Sequence, residues 1–180
     1  MNIRLQSFLE GQEGWGKLQG CQVRARLEAL IASSPMAHVI RVSLAGITRT
    51  DVPFARSAIA ELAAHERTRR GFCLVEVSDR DILDNWDAAA LRSQQPLLVW
   101  YPDGSSRLLG PQAPIGTQAT FEYVLARSRS VSAREVATAL HLQLSNTSNK
   151  LKYLWEAGYV LRKEAVSPGG RQEYAYFRIA

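Results

Sequence analysis

Through residue 110 the sequence alternates short β-branched or apolar runs with amphipathic helical stretches, and that grammar predicts an α/β layer, a mixed sheet with helices. Residues 18–32, LQGCQVRARLEALIA, space Val23, Leu27, Leu30 and Ile31 as one apolar helix face. Residues 38–48, HVIRVSLAGIT, switch to period two, with Val39, Arg41 and Ser43 against Ile40, Val42 and Leu44, and end at Gly46 as a strand does. VPFARSAIAELAAHERTRR then sets Phe54, Ala58, Ile59, Leu62 and Ala63 on one stripe of a helix of four or five turns. Asp51 supplies its N-cap, Pro53 suits its first turn and the basic end suits its dipole. GFCLVEV, residues 71–77, reads as a buried strand, and SDRDILDNWDAAALRSQQ as one or two short helices capped by Ser78 or Asp79. PLLVWYP, residues 96–102, is a third strand, and Asp103-Gly104 turns it into SSRLLG as a hairpin at the sheet edge.

Gly110, Pro111, Pro114 and Gly116 break this pattern, so residues 111–116 are the expected linker between a domain over 1–110 and another over 117–180. A length of 180 residues accommodates two small domains. After the break, strands between helices give way to a run of helices. TQATFEYVLARSR carries Phe121, Val124 and Leu125 on one side. Ser132 and Glu135 form a capping box for a second helix that buries Val136, Ala137 and Leu140. A turn of three or four residues follows, and then a third helix, which begins with Ser145, Asn146, Thr147, Ser148 and Asn149, none of them a strong helix former. Two short helices joined by such a turn are the helix-turn-helix pattern.

The stretch LHLQLSNTSNKLKYLWEAGYV, with Leu140, Leu142, Thr147, Leu151, Leu154, Gly158 and Val160 at its framework positions, resembles the second and third helices of winged-helix bacterial transcription regulators. The likeness continues through YVLRKEAVSPGGRQEYAYFRIA, two strands about Pro168-Gly169-Gly170 that correspond to the family's wing. His141 stands where the family often has glycine, and Thr147 where it often has valine. The resemblance implies double-stranded DNA as partner.

Residue spacing supports that implication. Burying Leu151 and Leu154, with Thr147 beside them, turns Ser145, Ser148, Asn149, Lys152 and, further round, Asn146 or Tyr153 outward at 100° per residue. Short hydroxyl and amide groups approach phosphate closely and can read base edges. Residues 145–153 are therefore expected in a major groove, with Lys150, Lys152, Arg162, Lys163 and Arg171 on phosphates. Charge is distributed accordingly: residues 1–110 hold 13 Lys+Arg and 12 Asp+Glu, whereas the last seventy hold 9 and 5. The alternatives are that these polar residues are merely caps, that the lysines are a solvated face, and that both domains are protein-interaction modules in an adaptor that binds no DNA.

VIRVSLAGITRTDVPFARSAIAEL is similar to the central strand-loop-helix of STAS-like domains, the fold of anti-sigma-factor antagonists. Phosphorylated antagonists carry a hydroxyl residue after the loop aspartate. This chain has Asp51-Val52-Pro53-Phe54, so no phosphorylation switch is expected there. That domain is expected to sense a protein partner or small ligand, or to make a homodimer.

Other chemistries find little support. Cys21 and Cys73 are expected as unpaired buried thiols. His38, His65 and His141 lie apart without metal-ligand spacing, and Asp79, Asp81, Asp84 and Asp87 lack the glycine and terminal Glu of a calcium loop. Trp15, Trp86, Trp100 and Trp155 are expected as core or interface aromatics. No phosphate-binding glycine loop or nucleophile elbow is present, so neither an enzyme nor a cofactor is expected. A composition 46% hydrophobic and 22% charged, without a membrane span or secretion signal, makes a soluble cytoplasmic protein the expectation.

Overall fold

The structure, a computed structural model, describes residues 1–77, 79, 81–166, 170 and 172–180. The chain divides into two compact units, Met1–Gln112 with Ala180, and Ala113–Ile179. Among the described residues no helix is long and apolar enough to cross a membrane.

The first unit is a mixed α/β layer. In chain order it comprises β1 (Asn2–Arg4), a 3-10 turn, β2 (Glu13–Gly14), α1 (Gly16–Ala32), β3 (Val39–Ser43), β4 (Arg49–Thr50) and α2 (Val52–Ala55). A π turn over Arg56–Ala60, α3 (Glu61–Glu66), β5 (Gly71–Val75), α4 (Ile82–Arg92), β6 (Leu97–Trp100) and β7 (Ser106–Leu109) follow. The main sheet runs β1-β3-β5-β6-β7, parallel through β6, with β7 antiparallel at the edge; β2 and β4 form a separate small parallel pair.

Each parallel strand lies one place further along than the last, so crossovers of the usual right hand set every helix on the same face. The core confirms it. Ile3, Val42, Leu74 and Val99, side by side in register, share one cluster with Val23 and Leu27 of α1, Ile59 of the π turn, and Leu83 and Trp86 of α4. The other face carries Arg4, Arg41 and Ser43 from the alternate positions.

Several expectations need correction. Leu30 is exposed, because the α1 stripe narrows to Val23, Leu27 and Ile31; Cys21 is only half-buried; and Trp15, which precedes α1, is 61% exposed. Asp79 does not cap α4. Its Oδ1 accepts from the Asp81 amide at 2.9 Å, outside the helix, Asp81 at the N-cap makes no side-chain cap bond, and Ser78 lies outside the described residues. The single helix read over 52–70 is interrupted by the π turn and ends at Glu66. Asp51 does cap it, its Oδ1 accepting from the Phe54 amide at 2.8 Å, and the same carboxylate also accepts from the amide of Gly16 at 3.0 Å.

The second unit consists of α5 (Ile115–Leu125), β8 (Val131–Ser132), α6 (Ala133–Ala139), α7 (Leu144–Glu156), β9 (Leu161–Val166) and β10 (Gln172–Phe177). Its sheet is antiparallel in the order β8-β10-β9. α5 begins at Ile115, inside the stretch read as linker, and Pro114 stands at its N-cap. The three helices bury Phe121, Val124, Val136, Leu151 and Leu154, and Phe121 meets Tyr159 edge to face with ring centroids 5.5 Å apart. Leu125 and Leu140, expected inside, are half-buried.

Candidate nucleic-acid interface

The candidate surface begins where α6 stops. Ser132 Oγ accepts from the Glu135 amide at 3.2 Å, half of the expected capping box. The Glu135 carboxylate is drawn instead to Arg129, which donates from Nη2 at 2.6 Å and Nη1 at 2.9 Å. That bond holds the Glu135 carboxyl below the usual carboxylate range and occupies Arg129. At the other end the amide of Leu142 donates to the carbonyl of Ala137 at 2.9 Å and that of His141 to Thr138 at 3.4 Å. This is a Schellman ending, and it forces His141 to φ 53°, in the left-handed region.

The turn delivers the chain to α7 with Gln143 at its N-cap, extended and without a side-chain cap bond. None of the five polar residues after Leu144 serves as the cap. Thr147 instead turns inward: it is fully buried, and both its amide and its Oγ1 donate to the Gln143 carbonyl at 3.0 Å. Together with Leu151 and Leu154 it anchors the helix on the inside. The hydroxyl is satisfied there, which is why threonine can replace an aliphatic residue.

The outward residues follow from that anchor. Ser145, Asn149 and Lys152 lie at successive positions on the side opposite Leu151 and are exposed, and so are Asn146 and Tyr153, while Ser148 and Lys150 are half-buried. Lys152 Nζ is 3.7 Å from Glu156, an exposed i,i+4 pair worth about 0.3–0.5 kcal/mol and easily exchanged for a phosphate. The first amides of α7, not bonded by any cap side chain, carry the positive end of the helix dipole.

The hairpin residues divide. Lys163 is exposed on β9. Arg162 is not a free cation. Its guanidinium carbon lies 3.3 Å from the Trp155 ring centroid and 4.0 Å from that of Tyr174, and its hydrogen bond to Tyr176 opposes the upward push that burial exerts on that phenol. It joins the end of α7 to the hairpin, and its half-buried guanidinium packs against both rings. Arg171, expected at the wing tip, lies outside the described residues.

Four residues overlooked in the sequence, Arg134, Leu144, Glu173 and Tyr174, join the surface. A cleft of about 270 Å³ is lined by Arg134 from the start of α6, Leu144 and Ser148 from α7, and Glu173 and Tyr174 from β10. Arg134 had a readable signal, since it is the second residue after the capping serine, in the first turn of the helix that enters the turn motif. Leu144, 46% exposed on the first residue of α7, had none, because an apolar residue in the turn reads as buried. Tyr174 depends on the pairing of β10 with β9. Glu173 is the one acidic group lining that cleft among the described residues.

The arrangement offers hydrogen-bonding side chains, a helix N-terminus, cations and one apolar contact. Among the described residues no three His, Cys, Asp or Glu side chains gather to hold a metal ion. Comparison of the chain with protein-family models, curated proteins and solved structures returns no match.

Proposed function

We propose that the second unit is a winged helix-turn-helix that binds duplex DNA, with α7 in the major groove and the β9–β10 hairpin as its wing. The observation that carries this is the outward row Ser145, Asn149 and Lys152 on a helix held from within by Thr147, Leu151 and Leu154. Asn149 and Asn146 are suited to adenine edges, Leu144 to a thymine methyl, and Lys150, Lys152, Lys163 and Arg134 to phosphates. The net positive charge of the last seventy residues supports the same reading.

The first unit is then a STAS-like sensing domain that responds to a protein partner or small ligand, in a cytoplasmic transcription regulator that acts as a homodimer. A single helix reads only a few base pairs, and two-fold doubling extends the site.

Selection of bound sequences from a random duplex pool with the full-length chain tests both points. A recovered palindrome supports the reading. In titrations against salt, Lys150→Ala with Lys152→Ala should flatten the log–log slope by about two. Absence of duplex binding at low salt overturns the proposal in favour of a protein-interaction adaptor.

A further inference from the structure

We propose that the cleft at the carboxyl ends of β1, β3 and β5 binds a small organic anion, phosphate- or carboxylate-bearing, that also presents a hydroxyl donor. The inference concerns the first unit alone and does not rest on the DNA-binding reading.

The cleft has a volume of about 480 Å³ and lies on the sheet face of Arg4, Arg41 and Ser43, opposite the face packed against α1 and α4. Register builds it. Arg41 lies opposite Asn2 on β1, and Ser43 lies between Arg4 and Val75, so Arg4 and Arg41 are diagonal neighbours on one face of adjacent parallel strands. At the carboxyl ends of these parallel strands the chain leaves the sheet, and the polar groups of three strands converge there.

Its chemistry is specific. Arg4 and Arg41 are both exposed, and among the described residues neither has an ion-pair partner. Both guanidinium groups line the one cleft, so their positive charges favour an anion there, and their planar donor forks match phosphate or carboxylate oxygens.

The third group is Glu76, which directly follows β5 at φ 54°, a conformation that costs a non-glycine residue and that turns its side chain back to the sheet. Its carboxylate accepts a hydrogen bond from Ser43 Oγ, and Ser43 Oγ in turn accepts from the amide of Ala45 at 3.2 Å. One Glu76 oxygen is thus held by a nearly buried serine, and the other, which has no hydrogen-bond partner among the described residues, can receive a hydroxyl of the ligand.

Calorimetric titration of the full-length chain with glycerol 3-phosphate, glycerate and glycerol, in a buffer free of phosphate and carboxylate, tests the proposal and separates the two anion types. At least one of the two anions should saturate, and glycerol should not. Arg4→Gln with Arg41→Gln should weaken that binding at least tenfold. Glu76→Gln should weaken it similarly and leave the affinity for inorganic phosphate within about twofold. In the unaltered chain, amide shifts on titration should centre on Arg4, Arg41, Ser43 and Glu76, a readout that requires no variant to fold. Glycerol binding as well as the anions, no saturation by either anion below about 10 mM, undiminished binding by the arginine pair, or shifts centred elsewhere would each overturn it. Duplex binding of the same variants, measured separately, bears only on the other unit.

Discussion

The guanidinium of Arg162 lies over the indole of Trp155 at 3.3 Å from the ring centroid, and it also lies over the phenol ring of Tyr174 at 4.0 Å. A strand of the hairpin is thereby clamped to the last turn of α7. Arg162→Ala should lower the stability of the chain by about 1–2 kcal/mol, since a cation held against two rings and its aliphatic stem are both lost. Arg162→Lys should recover only part, because an ammonium cannot stack as a plane. Urea unfolding followed by tryptophan fluorescence measures both. On duplex DNA, Arg162→Ala should leave the salt slope nearly unchanged, whereas Lys152→Ala reduces it by about one. An unchanged urea midpoint with a flattened slope would return Arg162 to the phosphate contacts.

The same Schellman ending closes two helices of the second unit with different residues. α7 ends on Gly158 at φ 85°, with the Tyr159 amide on the Leu154 carbonyl at 2.8 Å, and α6 ends on His141 at φ 53°. His141 is exposed, so a substitution there forfeits little packing. His141→Gly should stabilise the chain by about 0.5–1 kcal/mol, as relief of the left-handed penalty exceeds the added entropy of the unfolded chain. That corresponds to a rise of a few degrees in the melting temperature. A melting temperature below that of the parent chain would mean that the imidazole makes a contribution the backbone account omits.

What the sequence made legible follows from periodicity, and what it hid follows from contacts across elements. β3 could be read because Ile40, Val42 and Leu44 alternate with Arg41 and Ser43, and β5 because its run is apolar throughout. β1 could not: Asn2–Arg4 offers one apolar residue, Ile3, and is a strand only because β3 lies parallel beside it. The π turn is equally silent, since Phe54, Ala58, Ile59, Leu62 and Ala63 keep a helical stripe whether or not one turn widens. On the candidate surface, the inward Thr147 and outward Ser145, Asn149 and Lys152 were fixed by the spacing of Leu151 and Leu154. The engagement of Arg162 needed Trp155 and Tyr174 brought together from two other elements, and the left-handed His141 was visible only as an odd residue at a position that favours glycine.

Cys73 gives the first unit a defined response to alkali. Burial pushes its thiol from 9.0 up to about 11, although the charges of Arg41 and the N-terminal amine pull the other way. The folded chain therefore keeps the neutral thiol where the unfolded chain would ionise it. Its contribution to stability is complete below pH 9 and is lost as the pH climbs to about 11. Cys73→Ala should be less stable near neutrality by about 1 kcal/mol through lost packing. Over that alkaline window, however, the gap between parent and variant should narrow, as urea unfolding at stepped pH would record. In the native chain a thiol reagent at pH 8 should modify at most the half-buried Cys21. Rapid labelling of two thiols, or a gap that does not change with pH, would remove the argument.

Gly20 reverses the usual rule for glycine in a helix. In the interior of α1 an alanine would ordinarily gain about 1 kcal/mol. Here an added Cβ would lie 2.9 Å from the Phe54 carbonyl oxygen, 2.9 Å from Ser57 Cβ and 3.3 Å from the Ala58 amide nitrogen. Two of those three atoms are backbone, and Ser57 and Ala58 sit in the π turn itself, so the obstacle cannot rotate aside as a side-chain tip would. The close passage of α1 over that widened turn requires the missing side chain. Gly20→Ala should destabilise by about 1–3 kcal/mol, the cost of overpacking a filled core. Gly11→Ala, where nothing lies within 4 Å, should change stability by less than about 0.5 kcal/mol. Chemical unfolding of the two variants side by side decides the matter: a Gly20→Ala chain as stable as the parent would show that α1 can move away from the π turn at no cost.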